Sequence, residues 1–203
     1  MRVLVACEYS GRVRTAFRNK GHDAYSCDII DSEDNSKYHI KDNVLNHLND
    51  GWDLMIAHPP CTFLCRNRAR QNKAEDISNE LQQSKRFFLK LLNANIHFIC
   101  VENPLPSKMA NLPQYTQIIQ PYQFGHDYSK KTCLWLRNLP KLIPTKIIPV
   151  SYITTKNGYR YTKGWYEMPR TSRDRSRTFQ GIADAMVEQW NNLILTVILN
   201  GDY

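Results

Sequence analysis

A cysteine directly after Pro59-Pro60 and a glutamate followed by Asn103-Pro104 are the residues of this chain best placed for chemistry. Each closes a short apolar run, 54–57 and 96–101, of the length of a buried strand. Proline fixes its own φ and restricts the residue before it, so both runs end in stiff exits. In an open α/β sheet the carboxyl ends of parallel strands line the ligand crevice, which puts Cys61 and Glu102 on one rim. A thiol there can act as a nucleophile, and a neighbouring glutamate can serve a ring nitrogen. Together they suit addition to an electron-poor ring. Taken singly, each has a plainer reading, a core thiol or a capping acid. Two further acids stand at strand ends: Glu8 after the first, and Asp28 after the second, where an acid commonly holds ribose hydroxyls. His58, Cys61 and Cys65 are metal-type donors, but their spacing lacks the fourth ligand of a zinc site.

These residues need a sheet to hold them. Residues 2–6 alternate and read as a first strand, followed by the turn Glu8-Tyr9-Ser10-Gly11 and a helix over 12–20 closed by Gly21. Short strands follow at 24–27 and 38–40, with a short helix at 43–48. After the strand preceding Cys61 comes a basic stretch, 66–73, expected as a mobile loop over the site. Apolar spacing predicts the longest early helix over 76–93. Strands over 116–120 and 133–136 flank a loop at 124–131, and a last helix covers 182–199. The alternation predicts a doubly wound α/β sheet of Rossmann type, helices on both faces, in one domain spanning 1–203.

The 203 residues carry a formal charge of +8, with 42% hydrophobic and 23% charged residues, a globular balance. No run approaches the ~20 apolar residues of a membrane span. Six scattered cysteines suit reduced thiols in a cytoplasmic protein. Residues 141–178 hold nine Lys or Arg against Glu167 and Asp174, a net +7, so nearly all the excess sits in one segment. Tyr152, Tyr159, Tyr161, Trp165 and Tyr166 interleave with these cations, which suits stacking on bases and pairing with phosphates. Asn157-Gly158 marks a hairpin within it. No feature calls for an obligate protein partner. Arg160, Lys163, Arg170 and Arg173 are the expected phosphate contacts.

The stretch 53–61, Asp-Leu-Met-Ile-Ala-His-Pro-Pro-Cys, resembles the Pro-Cys motif of the DNA cytosine-5 methyltransferases. Residues 98–104, Phe-Ile-Cys-Val-Glu-Asn-Pro, resemble that family's Glu-Asn motif, and Tyr9-Ser10-Gly11 resembles the start of its cofactor loop. Residues 177–185, Arg-Thr-Phe-Gln-Gly-Ile-Ala-Asp-Ala, resemble its closing motif. The order holds over nearly the whole chain apart from 141–176, and the likeness is greatest to short, phage-type members. The resemblance implies S-adenosylmethionine held by Glu8, Tyr9, Ser10, Gly11, Asp28, Asp42, Pro59 and Ala183. It implies Cys61, Glu102 and Asn103 as catalytic residues, with Pro60 and Lys131 at the substrate, either DNA or a pyrimidine nucleotide. In that chemistry Cys61 adds to carbon 6, Glu102 serves nitrogen 3, and carbon 5 takes the methyl group. Three departures stand out. Gly11-Arg12-Val13-Arg14 stands where the family has further glycines, His58 stands where a small residue is usual, and 141–176 replaces a target-recognition domain. They leave open a second reading, a nucleotide- or nucleic-acid-binding protein on the same fold that transfers no methyl group.

Overall fold

The computed structural model describes residues 1–65, 76–168 and 171–200, so the basic stretch 66–73 and Arg170 lie outside the described residues. Five strands, β1 (Arg2–Ala6), β2 (Asp23–Asp28), β3 (His39–Lys41), β4 (Leu54–Ala57) and β5 (Phe98–Pro104), pair in parallel. Two more, β6 (Gln117–Ile119) and β7 (Thr132–Arg137), complete a seven-stranded sheet of order β3-β2-β1-β4-β5-β7-β6. β7 runs antiparallel to both its neighbours. The strand order reverses between β1 and β4, which is where an open sheet of this kind parts its loops to receive a ligand.

β1 and β4 read as uninterrupted buried runs because both faces of the sheet are covered. On one face α1 (Arg12–Asn19) and α5 (Gln180–Asn200) bury Val13, Phe17, Met186, Val187 and Trp190 against Val3, Val5, Leu54 and Ile56. On the other, α2 (Asp76–Leu92) buries Leu81, Phe88 and Leu91 against Leu4, Met55 and Ile99. The doubly wound Rossmann-like sheet expected from the sequence is therefore present. Two expected boundaries moved. Glu102 and Asn103 lie inside β5, because β7 pairs with the strand as far as Pro104. The expected helix at 43–48 is a single 3₁₀ turn, Val44–Asn46, capped by the Asn43 side chain.

The basic segment forms a two-stranded ribbon, β8 (Tyr152–Thr154) with β9 (Arg160–Thr162), turning at the expected Asn157-Gly158. Two short helices follow, α3 (Lys163–Glu167) and α4 (Ser172–Ser176). Gly164 in α3 and Gly181 in α5 both lie against the loop between β6 and β7. A Cβ on Gly164 would overlap the Asp127 carbonyl, and one on Gly181 the Phe124 carbonyl. The Gly181 backbone also donates to His126 Nε2 at 3.0 Å. This close approach ties the closing motif to the loop carrying Lys130. Gly181→Ala is expected to cost about 1–3 kcal/mol in urea denaturation, because backbone must move to admit the methyl group. An unchanged midpoint would show that this packing contributes nothing.

Candidate active site

β4 and β5 pair in parallel with Ala57 opposite Val101, so the next residues along, His58 and Glu102, meet at the carboxyl rim. His58 Nδ1 lies 2.9 Å from Glu102 Oε2, and both side chains are largely buried. Burial works to lower the His58 pKa, but the hydrogen bond and charge of Glu102, helped by Glu8, raise it above the usual histidine value. For Glu102 burial raises the pKa, and the hydrogen bond and charge of His58, with Lys130, prevail to lower it. The two groups form an ion pair. Asn103 Nδ2 donates to Pro59 O at 3.2 Å, tying the exit of β5 to the proline loop, while its buried Oδ1 has no partner among the described residues.

Cys61 opens a helical turn in which Leu64 N and Cys65 N both donate to its carbonyl. Cys65 bridges to Pro106, and Ser107 N donates to Leu64 O, so the Pro-Cys loop leans on the chain leaving β5. The Cys61 thiol is half-buried and shares a hydrogen bond with Cys65, which with burial pushes its pKa far up, against the pull of Lys130. It rests as a thiol and reacts as the small fraction of thiolate. Lys130, whose Nζ donates to Arg175 O at 3.1 Å, acts on Cys61, His58 and Glu102 alike. Its neighbour Lys131, the expected substrate contact, is exposed. Pro59 is buried and Pro60 exposed.

The expected cofactor residues are occupied in other ways. Cys7 takes a left-handed φ of 58°, and Glu8, 4% exposed, turns beneath α1. Its carboxylate accepts Val13 N at 2.8 Å and Arg14 N at 3.2 Å, so it caps the helix. Ser10 donates to Glu8 at 3.3 Å, and the Tyr9 hydroxyl bonds Arg173 O and Ser176 in α4. Asp42 accepts from Asn43 N, Asn46 and His47, a local cap. Ala183 is fully buried in the α5 core. Asp28 closes β2 as expected, accepting Ile30 N at 3.3 Å, and burial raises its pKa. Beside it Ile29 is 73% exposed, an apolar surface fit for a base.

Arg14 decides how the rest of this mouth is used. Gly11 has a φ of 68°, and a Cβ on it would overlap the Arg14 guanidinium, which lies directly over the turn. That guanidinium is 1% exposed, donates to Ser26 Oγ at 3.0 Å and pairs with Asp34. Ser26 continues to His39 at 2.9 Å, which reaches Ile30 O. Above it, Glu33 receives Arg177 in a two-pronged pair at 2.6 and 2.9 Å, and Arg173 at 3.3 Å. Arg12 donates to Thr178 O at 2.9 Å. α4 is thus bolted over the loop. Asp28 and Ile29 offer an acid and an exposed apolar surface to a nucleoside, but the space above Gly11, in the turn that the resemblance gives to S-adenosylmethionine, is filled by the Arg14 guanidinium. The residues present do not fit the whole cofactor.

Of the ribbon residues, Arg160 lies over the Tyr152 ring at 4.0 Å, Lys163 faces Glu167, and Arg173 faces Glu33 and Tyr9. Tyr161 and Trp165 stack at 4.7 Å with 12° between their planes. A cavity of about 540 Å³, lined by Trp52, Asp53, His97 and Arg137, opens at the opposite end of the sheet. No group of three or more His, Cys, Asp or Glu among the described residues is placed to hold a metal. Among the described residues no helix is long and apolar enough to cross a membrane.

No protein-family model matches the sequence, and no curated protein matches it. Similar solved structures include a chain described as a DNA modification methyltransferase encoded within an E. coli prophage. That match has 16% identity and a TM-score of 0.46, covering 74% of this chain and 53% of that one. The Entamoeba histolytica methyltransferase EhMeth matches at 14% identity and 0.47, covering 76% and 58%. A triple-alanine variant of Spodoptera frugiperda DNMT2 matches at 17% and 0.43, covering 72% and 54%. The chain spans little more than half the length of each. These scores describe a distant likeness in outline. What the rim can do follows from this chain's own residues.

Two outcomes follow from Arg14. Arg14→Met is expected to lower stability by about 2 kcal/mol, since it removes the charge-assisted bonds of the buried guanidinium to Ser26, which keeps His39, and to the half-exposed Asp34, which regains water. Calorimetric titration with S-adenosylmethionine is expected to show no saturable binding at millimolar cofactor. Micromolar binding would mean that the guanidinium swings out, and would restore the cofactor site.

Proposed function

We propose that this chain is an enzyme of methyltransferase-like fold that activates a pyrimidine ring, in DNA or as a nucleotide, by covalent addition of Cys61. The observation that carries this reading is the shared rim. The parallel register of β4 on β5 sets the Cys61 turn beside Glu102, whose carboxylate is held by His58 at 2.9 Å. In the reaction the Cys61 thiolate forms a bond to ring carbon 6, and the electrons displaced from the carbon 5–carbon 6 double bond are taken up toward nitrogen 3, where Glu102 stands. Carbon 5 is then nucleophilic. When it takes a proton from water and gives up its own proton to water, the sulfur–carbon bond breaks, the thiolate leaves and the ring is restored. Asn103 holds the proline loop in place throughout, and Lys130 favours the thiolate by its charge. A base within duplex DNA would first be flipped out to reach the thiol.

Methyl transfer to carbon 5 is the completion that the sequence resemblance implies, with S-adenosylmethionine as donor. Arg14 above Gly11 opposes it. The same observation favours a second reading, a protein that binds nucleotides or nucleic acid on this fold without methylating them. The stacked Tyr161–Trp165 pair and the exposed cations of the ribbon support a nucleic-acid substrate under either reading.

Exchange at carbon 5 separates the two without any methyl donor. Incubated with oligonucleotides or deoxycytidine monophosphate tritiated at carbon 5, the protein is expected to release tritium into water, and Cys61→Ser to release none. Release by Cys61→Ser would overturn the nucleophile assignment, and binding without release by the native protein would favour the binding module. Exchanging Lys156, Arg160 and Lys163 for Gln is expected to weaken DNA binding and flatten its salt slope by roughly 2–3. An unchanged slope would mean that the ribbon faces away from the phosphates.

A further inference from the structure

The ion pair at the rim poses a chemical difficulty. A glutamate held as carboxylate can accept a hydrogen bond but has no proton to give, while a cytosine-type ring gains basicity at nitrogen 3 as Cys61 adds. We propose that His58 supplies that proton, acting through Glu102, so that the two residues work as one proton relay. The inference rests on the pyrimidine reading above and adds the source of the proton.

The geometry meets each requirement of a relay. His58 and Glu102 are neighbours by strand register, and their 2.9 Å contact is the hydrogen bond of the Glu102 carboxylate among the described residues. His58 is fixed in place, with its side chain only 10% exposed, and its Nε2 is buried with no partner among the described residues. In the relay His58 passes from imidazolium to the neutral Nε2–H tautomer, so Nε2 keeps its hydrogen and the Nδ1 proton is the one that moves. The charged groups around it are Glu102 from β5 and Glu8 from the turn after β1, which favour the imidazolium. Lys130 from the loop before β7 opposes it, and Cys61 and Cys65 lie on the same turn of chain. The balance keeps one mobile proton on the pair.

The transfer is balanced. As the sulfur–carbon 6 bond forms, nitrogen 3 takes a proton from Glu102, and Glu102 takes the Nδ1 proton of His58, which becomes neutral imidazole. When the sulfur leaves, the proton returns along the same path. The active form needs thiolate at Cys61 and imidazolium at His58 together. The native rate should then rise with pH while the thiolate fraction grows and level off once pH passes the raised His58 pKa, because each gain in thiolate is matched by a loss of imidazolium. Without His58 that ceiling disappears.

The test is the pH profile of carbon 5 tritium release for the native protein and for His58→Gln, which keeps a hydrogen-bonding side chain. Near neutral pH the variant is expected to be slower by about 10², and its rate to keep climbing with pH beyond the native plateau. A variant with the native rate and the native plateau would overturn the relay while leaving the Cys61 reading intact. No release from the native protein would overturn the pyrimidine reading, and the relay with it. Should His58→Gln fold poorly, histidine NMR on the folded protein decides instead. The His58 imidazole is expected to lose its proton about one or more pH units lower in Glu102→Gln than in the native chain. An unmoved titration would sink the pair.

Discussion

The parallel pairing of β4 with β5 is the constraint on which this site depends. One residue of slip would turn each side chain to the opposite face and separate His58 from Glu102. The register is secured because Leu54, Met55, Ile56 and Ala57 are all fully buried, with helices on both faces. A slip would expose or overpack every one of them. The same pairing makes the two prolines useful, since Pro59-Pro60 and Pro104 release the strands stiffly into loops that then hold each other through Asn103, Cys65 and Ser107. A thiol and a carboxylate are thus positioned by the core rather than by flexible segments.

On the β1 side of the reversal the fold has gone a different way. Gly11 leaves room over the turn, but Val13 enters the core and Arg14 fills that room with its guanidinium. A buried guanidinium is tolerable only if its donors are met, and Ser26 and Asp34 meet them. Glu8 is consumed in capping the helix that carries Arg14. The basic segment is drawn into the same arrangement, with Arg177 and Arg173 on Glu33 and α4 over Tyr9. Part of its charge therefore serves the fold rather than a phosphate partner.

Much of the site was legible in the chain. The apolar runs before Cys61 and Glu102 could hardly be anything but buried strands, and their proline exits marked the rim. Asp28 was expected at the end of β2 and stands there. Other residues were less legible. Lys131 was expected at the substrate and is exposed, while its neighbour Lys130 is the one whose charge reaches Cys61 and Glu102. Ala183 lies on the core side of α5, and helical periodicity alone does not say which neighbour covers which face. His58 was visible as an unusual residue, but its partner lies 44 positions away.

By itself the sequence determined most of the strands and helices, and that a cysteine and three acids stand near the ends of strands. Hydrophobic periodicity, proline and glycine act over a few residues and are readable in one dimension. Only the tertiary structure decided what each polar group is bonded to. Glu8 as a helix cap, Arg14 as the filling of a glycine cradle and His58 as the partner of Glu102 all follow from contacts between segments far apart in the chain. Whether a buried charge faces a ligand or another side chain depends on which partner packing brings within about 3 Å, and no local pattern encodes that distance.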